Sequence, residues 1–157
     1  MSTDNVVNNL ADHVAVRHVV DRYTDALNWR DWDILESLFT NDAVWVVTNP
    51  AGEIQEKRVG GQGIATGIRG LVEGSGDGDV VQMNHATVVH VNGERATARS
   101  TMESMYFLPD GARMQLFAMY DDTLVREQDG EWRFERREWR TKAMLGTALG
   151  QSRQANA

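Results

Sequence analysis

The chain has 157 residues, 41% of them hydrophobic and 8% aromatic, which suits a single domain around one core. A net charge of -7 and a pI near 5.0 argue against phosphate-backbone binding, which draws on clustered Lys and Arg, so no nucleic-acid partner is expected. The absence of cysteine excludes a disulfide framework, a thiolate zinc site and a cysteine nucleophile. No basic segment followed by an apolar run opens the chain, and no stretch approaches the roughly 18 apolar residues of a membrane span. A cytoplasmic protein without a membrane partner is expected.

Met1 to about Asn8 is polar and reads as loose. A first helix is expected from Asn9 or Ala11 to Asn28. Val16, Val20, Tyr23 and Leu27 share one helical face, and Asp21 and Asp25 fall on the opposite, solvated side. Asn28 ends this helix close enough to look into whatever the Tyr23 stripe covers. Asp31 suits the N-cap of a second helix running to about Thr40, with Ile34, Leu35, Leu38 and Phe39 as its apolar stripe. Asn41 and Asp42 then read as a turn into a strand, Ala43 to Val47, and residues 48–52 end it. A short strand from Ile54 to Val59 is expected to pair back. A third, glycine-weakened helix follows on Ile64, Ile68, Leu71 and Val72, with a mobile exit at residues 74–79. Its Gly61, Gly63 and Gly67 are no phosphate loop, because no Gly-Lys-Ser/Thr follows and no β-α-β unit surrounds them.

Beyond Asp79 the pattern changes to long strands. Val80 to Val91 turns through Asn92-Gly93 into Glu94 to Leu108. Pro109-Asp110-Gly111 leads into Ala112 to Glu127, and Asp129-Gly130 into Glu131 to Ala143. Three helices and an antiparallel meander make an α+β fold, with a strongly curved sheet wrapped around the first helix. Residues 1–145 are expected to form one domain. Residues 146–157 are expected to be a flexible or subunit-contacting tail.

The order of these elements, with RYTDALNWRDWDILESLFTNDAVW, the His85 strand, VNGERATARS and YDDTLVREQDGEWRFERREWR, resembles the SnoaL-like branch of the NTF2-like superfamily. The resemblance spans about Ala11 to Thr141. It implies a cone in which a mostly antiparallel sheet, closed at one end by helices, encloses an apolar pocket. The superfamily's activities are diverse, so fold alone does not assign one. Among dehydrochlorinase- and dehydratase-type members, an Asp at the end of the first helix orients a His on the first long strand, which removes a substrate proton. Matched residue by residue, the Asp position is Asn28 and the His is His85. A pocket polar residue falls on Tyr23, a first-strand aromatic on Trp45, and a late-strand Arg on Arg137.

The expected site therefore holds His85, Asn28 and Tyr23 as catalytic residues, with Trp45, Leu27, Met102 and Arg137 against the substrate. No metal and no cofactor are expected. Asn28 in place of a carboxylate can orient an imidazole but stabilises an imidazolium far less. Asp25 points to solvent, and strand alternation puts Glu103 outside, opposite the face of Ala96, Ala98, Ser100 and Met102. Trp132 and Phe134 alternate with Arg136, so an inward Arg137 requires a bulge or a second face that is also buried. The resulting expectation is a cofactor-independent lyase or isomerase, of dehydratase, cyclase or elimination type, with His85 as acid/base on a small hydrophobic or aromatic substrate. The alternatives are a non-catalytic hydrophobic-ligand-binding protein and a β-subunit-like partner of an aromatic-ring dioxygenase. A homodimer or homotrimer through the sheet is expected under each, because apolar residues occupy both sheet faces.

Overall fold

The computed structural model describes residues 3–74, 79–108 and 110–147. Helix α1 is Thr3–Trp29 and α2 is Trp32–Ser37, followed by β1 Phe39–Thr48 and β2 Ile54–Val59. Helix α3 is Gly61–Glu73, and β3 Asp79–Asn92, β4 Arg95–Phe107, β5 Arg113–Arg126 and β6 Trp132–Thr147 complete the described elements. The six strands form one sheet in the order β2-β1-β6-β5-β4-β3. Only the β1–β6 pair is parallel.

Helix α1 begins at Thr3, not near Asn9, because extending an existing helix adds a hydrogen bond per residue fixed and no Gly or Pro interrupts residues 3–10. Its inner stripe is as expected: Val16 and Val20 are fully buried, with Tyr23 at 1% and Leu27 at 5% exposure. The helix ends with Arg30 at φ 60, in the left-handed region, where Arg30 N donates to Leu27 O and Asp31 N to Ala26 O. That is the Schellman pattern, with an arginine where glycine is usual. The Arg30 guanidinium offsets the local strain by bonding Leu27 O, Asn28 O, Val80 O and Asp79, so it ties the end of α1 to the start of β3.

Asp31 caps α2 by accepting from Ile34 N at 3.2 Å. The strand after it starts at Phe39, four residues before the expected Ala43. Phe134 N donates to Leu38 O at 2.8 Å and draws the chain into the sheet as soon as α2 ends, so Asn41 and Asp42 are an exposed irregularity within β1 instead of a turn before it. The β3–β4 turn also sits one residue later than Asn92-Gly93. Asn92 pairs with Arg95, and Gly93 at φ 59 takes the first central position of the loop.

Register shifts bend the sheet, three of them in the β3–β4 and β5–β6 pairs. Asn84 pairs with Met102 but Ala86 with Thr101, leaving His85 as the extra residue. Thr123 pairs with Arg136 and Leu124 with Phe134, leaving out Glu135. Phe117 pairs with Ala143 and Ala118 with Thr141, leaving out Lys142. Each such bulge turns the following residues to the other face. The concave face packs on α1 and α3 around Tyr23, Phe39, Trp45, Ile64, Tyr120, Leu124 and Phe134. Among the described residues no helix is long and apolar enough to cross a membrane. Strand β6 runs to Thr147, past the expected domain end. The expected tail from residue 148 and residues 75–78 of the expected mobile exit lie outside the described residues, as does Pro109.

Candidate active site

Between α1, α3 and the concave sheet lies a cavity of about 250 Å³. Its inner end is formed by buried Tyr23, Leu27, Trp45, Ile68, Val72, Gln82, Tyr120 and Trp139, and exposed Leu71 and Met144 stand at its outer end. Val47, Tyr106, Leu116 and Thr141 complete the wall, with Glu56 of β2. The lining is mostly apolar, and its few polar groups converge, as small-molecule sites do.

Two tyrosine hydroxyls meet at the inner end. Tyr120 donates to Tyr23 at 3.3 Å, and the rings stand edge to face. Burial raises the hydroxyl pKa of both above the ordinary 10, so both remain protonated donors at neutral pH. The Arg137 cation opposes the rise at both; at Tyr23 the Tyr120 hydroxyl and the nearby Trp45 indole oppose it too, whereas the neighbouring Tyr23 pushes Tyr120 further up. Tyr23 is therefore the readier proton donor of the two. Because Tyr120 donates to its oxygen, its own proton is left to point elsewhere. Trp45 Nε1 has no well-formed hydrogen bond among the described residues.

Arg137 lies beneath this pair. The bulge at Glu135 turns it inward to 1% exposure and leaves Arg136 outside, which is the register an inward Arg137 requires. Its guanidinium carbon sits 3.6 Å from the Tyr120 ring centre, 3.9 Å from that of Tyr23 and 4.5 Å from that of Phe134. It faces Asp122 at 3.5 Å, and Asp122 is 1% exposed. Neither Asp122 oxygen has a hydrogen-bond partner among the described residues, and burial outweighs the Arg137 cation to push its carboxyl up to about 7. Arg137 thus supports the tyrosines from below and does not line the cavity. Met102, 3% exposed, is core packing on the same face and also lies off the cavity wall.

His85 is elsewhere. Strand alternation alone would group it with Met83, Thr87 and Val89, but the bulge falls on His85 itself. Met83 and His85 therefore face outward, and Thr87 and Val89 face inward. The His85 side chain is 53% exposed and meets Glu103 across the outer face at 3.2 Å. Gln115 donates to the other oxygen of Glu103. Glu103 is outside, as alternation requires, and it carries His85 with it, away from Asn28 and from the cavity.

Asn28 instead holds the main chain of Gln82. Its Nδ2 donates to Gln82 O and its Oδ1 accepts from Gln82 N, both at 2.8 Å. Strand β3 is a sheet edge, so these groups lack a neighbouring strand, and an amide side chain supplies the donor and acceptor that a strand would offer. Aspartate supplies only the acceptor. Asn28→Asp is expected to cost about 1–3 kcal/mol, the usual result of opposing a buried carbonyl with a second acceptor, as measured by denaturant unfolding at pH 7.

Sequence reading did not single out Glu56, Gln82, Tyr120 or Asp122. Glu56 is the one carboxylate on the cavity wall among the described residues, with its side chain 22% exposed. Arg58 holds its Oε1 at 2.7 Å, and its Oε2 has no partner among the described residues. Arg58 reaches back this way because it lies across α3 at Gly67, where a Cβ would come within 2.8 Å of its Nε. That close approach gives a reason for a glycine inside a helix.

Residues 8–138 match the family model of the SnoaL-like domain. The chain belongs to that family. Among solved structures it is similar to hexachlorocyclohexane dehydrochlorinase LinA-type3 of Novosphingobium barchaimii LL02, with TM-score 0.79 and 18% identity over 91% of this chain and 94% of that one. A scytalone dehydratase-like protein of Novosphingobium aromaticivorans DSM 12444 gives TM-score 0.74 and 22% identity, covering 92% and 93%. The Kfla4162 protein of Kribbella flavida gives TM-score 0.73 and 19% identity, covering 86% and 93%. No curated protein sequence matches. At these identities the likeness to solved structures is one of fold, and the fold is the NTF2-like cone that the sequence resemblance implied.

Proposed function

We propose that this SnoaL-like protein is a cofactor-independent lyase or isomerase that works by general acid/base chemistry in the 250 Å³ cavity. The observation that carries this reading is the Tyr23–Tyr120 hydroxyl pair, kept protonated at the inner end of an apolar chamber whose wall also carries the Glu56 carboxylate. Family membership supports the class, since the names of similar structures include a dehydrochlorinase and a dehydratase.

In this reading Tyr23 donates to a substrate oxygen and Glu56 Oε2 takes a proton from the carbon next to the one that bears that oxygen. For an alcohol, the C–H electron pair becomes the new double bond, and the departing oxygen takes the Tyr23 proton and leaves as water. Glu56 then returns its proton to Tyr23 through solvent at the open end. For an enolisable ketone the same two groups move one proton, and Tyr23 stabilises the enolate oxygen. Leu27 and Trp45 contact the substrate body. Arg137 and Asn28 are positioning residues, the first under the tyrosines and the second under Gln82. Met102 packs behind the wall, and His85 has no part because it faces away.

The test is a panel of small cyclic alcohols, ketones and halides that includes scytalone and hexachlorocyclohexane, assayed without added metal or cofactor. Turnover of at least one member is expected, with kcat lowered about 100-fold or more by Tyr23→Phe. Tight binding of panel members without conversion of any would replace the enzyme by a ligand-binding protein.

A further inference from the structure

Gln82 is 4% exposed, yet its amide is only half used. Nε2 reaches Ser104 Oγ at 3.4 Å, and Oε1 has no partner among the described residues although it belongs to a side chain on the cavity wall. The side chain has little freedom to turn away, since the Asn28 clamp fixes its main chain. A buried acceptor left unpaired is costly, and a bound molecule that brings a hydrogen-bond donor removes that cost.

We infer that Gln82 is a specificity-determining residue, and that the ligand is a neutral, flat ring compound bearing a hydroxyl or N–H directed at Gln82 Oε1. This rests on the cavity being the substrate site and narrows the substrate class. Aromatic walls at Tyr106, Trp45 and Trp139 favour a flat body. The size, below the roughly 300–1,000 Å³ of drug-sized pockets, limits it to one or two rings. An anionic group is disfavoured twice, by the bare Gln82 oxygen and by Glu56 on the same wall.

The experiment is titration calorimetry of the whole chain with 2-naphthol, 2-methoxynaphthalene and naphthalene. All three carry the same flat body, and only the first has a donor. Wild-type protein is expected to bind 2-naphthol at least about ten-fold tighter than the other two, because a site built around a polar partner rejects analogues lacking it. Gln82→Leu is expected to reduce the differences to within about three-fold while keeping the affinity for naphthalene. A steric preference would survive that substitution. Equal wild-type binding of all three probes, or an undiminished preference in Gln82→Leu, overturns the role of Gln82 and leaves the cavity as a substrate site. Failure of all three to bind overturns the substrate-site reading and this inference with it. The wild-type comparison holds whether or not the variant folds.

Discussion

Arg137→Met is expected to cost about 3–5 kcal/mol of folding stability at pH 8, the usual consequence of removing one partner of a buried ion pair. Domains of this size hold only about 5–15 kcal/mol in total, so the variant would be about a fifth or more of the way to unfolding. The cost comes from Asp122, which would keep a buried carboxylate with nothing opposite it. Replacing both partners, as Arg137→Met with Asp122→Leu, is expected to recover most of the loss, since an apolar pair of similar volume carries no desolvation cost. The pH dependence separates this account from simple loss of packing. The Asp122 carboxyl rises from its ordinary 3.8 to about 7 on folding, so the native state holds its proton more tightly than the unfolded chain does. Its contribution to stability is complete below about pH 4 and falls as the pH rises toward 7. In Arg137→Met the opposing cation is gone and the carboxyl moves further up, so the loss should be larger at pH 8 than at pH 5, by about 1.4 kcal/mol for the one pH unit above 7 in which wild type alone ionises. Urea unfolding at the two pH values measures this. Equal losses at both would show that the ion pair is not what Arg137 contributes.

Glu56→Gln is expected to lower kcat for any substrate that the panel identifies by about 100- to 10,000-fold, the range attributed to a positioned general base. The substitution keeps the size of the side chain and an oxygen for Arg58, so binding should change little and the effect should fall on kcat and not on KM. His85→Ala provides the contrast. His85 faces outward and hydrogen-bonds Glu103 across the strands, so its loss should change turnover by less than about three-fold. If the two variants exchanged these outcomes, the proton would be moving on the other face of the sheet. The measurement is steady-state kinetics of the two variants beside wild type.

Much of this fold was legible because its periodicities are unbroken where they matter. The stripe of Val16, Val20, Tyr23 and Leu27 packs inward, Asp31 caps α2, and turns fall close to Gly93, Gly111 and Gly130, each at positive φ. The site was less legible, for a physical reason at each position. A bulge adds one residue to a strand with no mark in composition, so nothing in the sequence opposed the pocket role that the family resemblance gave His85, and only the same resemblance pointed to an inward Arg137. Asp122 sits where an alternating strand usually puts a small or apolar residue, and burial of a carboxylate is known only once its arginine is in place. Glu56 belongs to a short, otherwise exposed edge strand, and it reaches the cavity because Val47, its partner on β1, lines the same wall. Gln82 carried no signal beyond its position two residues into a long strand. What makes it a site residue is the clamp from Asn28, 54 positions earlier in the chain.

The proposed function has ligand entering the concave side of the sheet and not the His85 face. It is tested most directly by a two-dimensional ¹H–¹⁵N NMR titration of the labelled protein with 2-naphthol. Shifts are expected to concentrate on the indole N–H groups of Trp45 and Trp139, the side-chain amide of Gln82 and the backbone amides of Ile68, Leu71 and Val72, all residues of the cavity wall. Amides around His85, Glu103 and Gln115 should stay where they are. Shifts gathered on those three residues, with the tryptophan indoles unmoved, would contradict it.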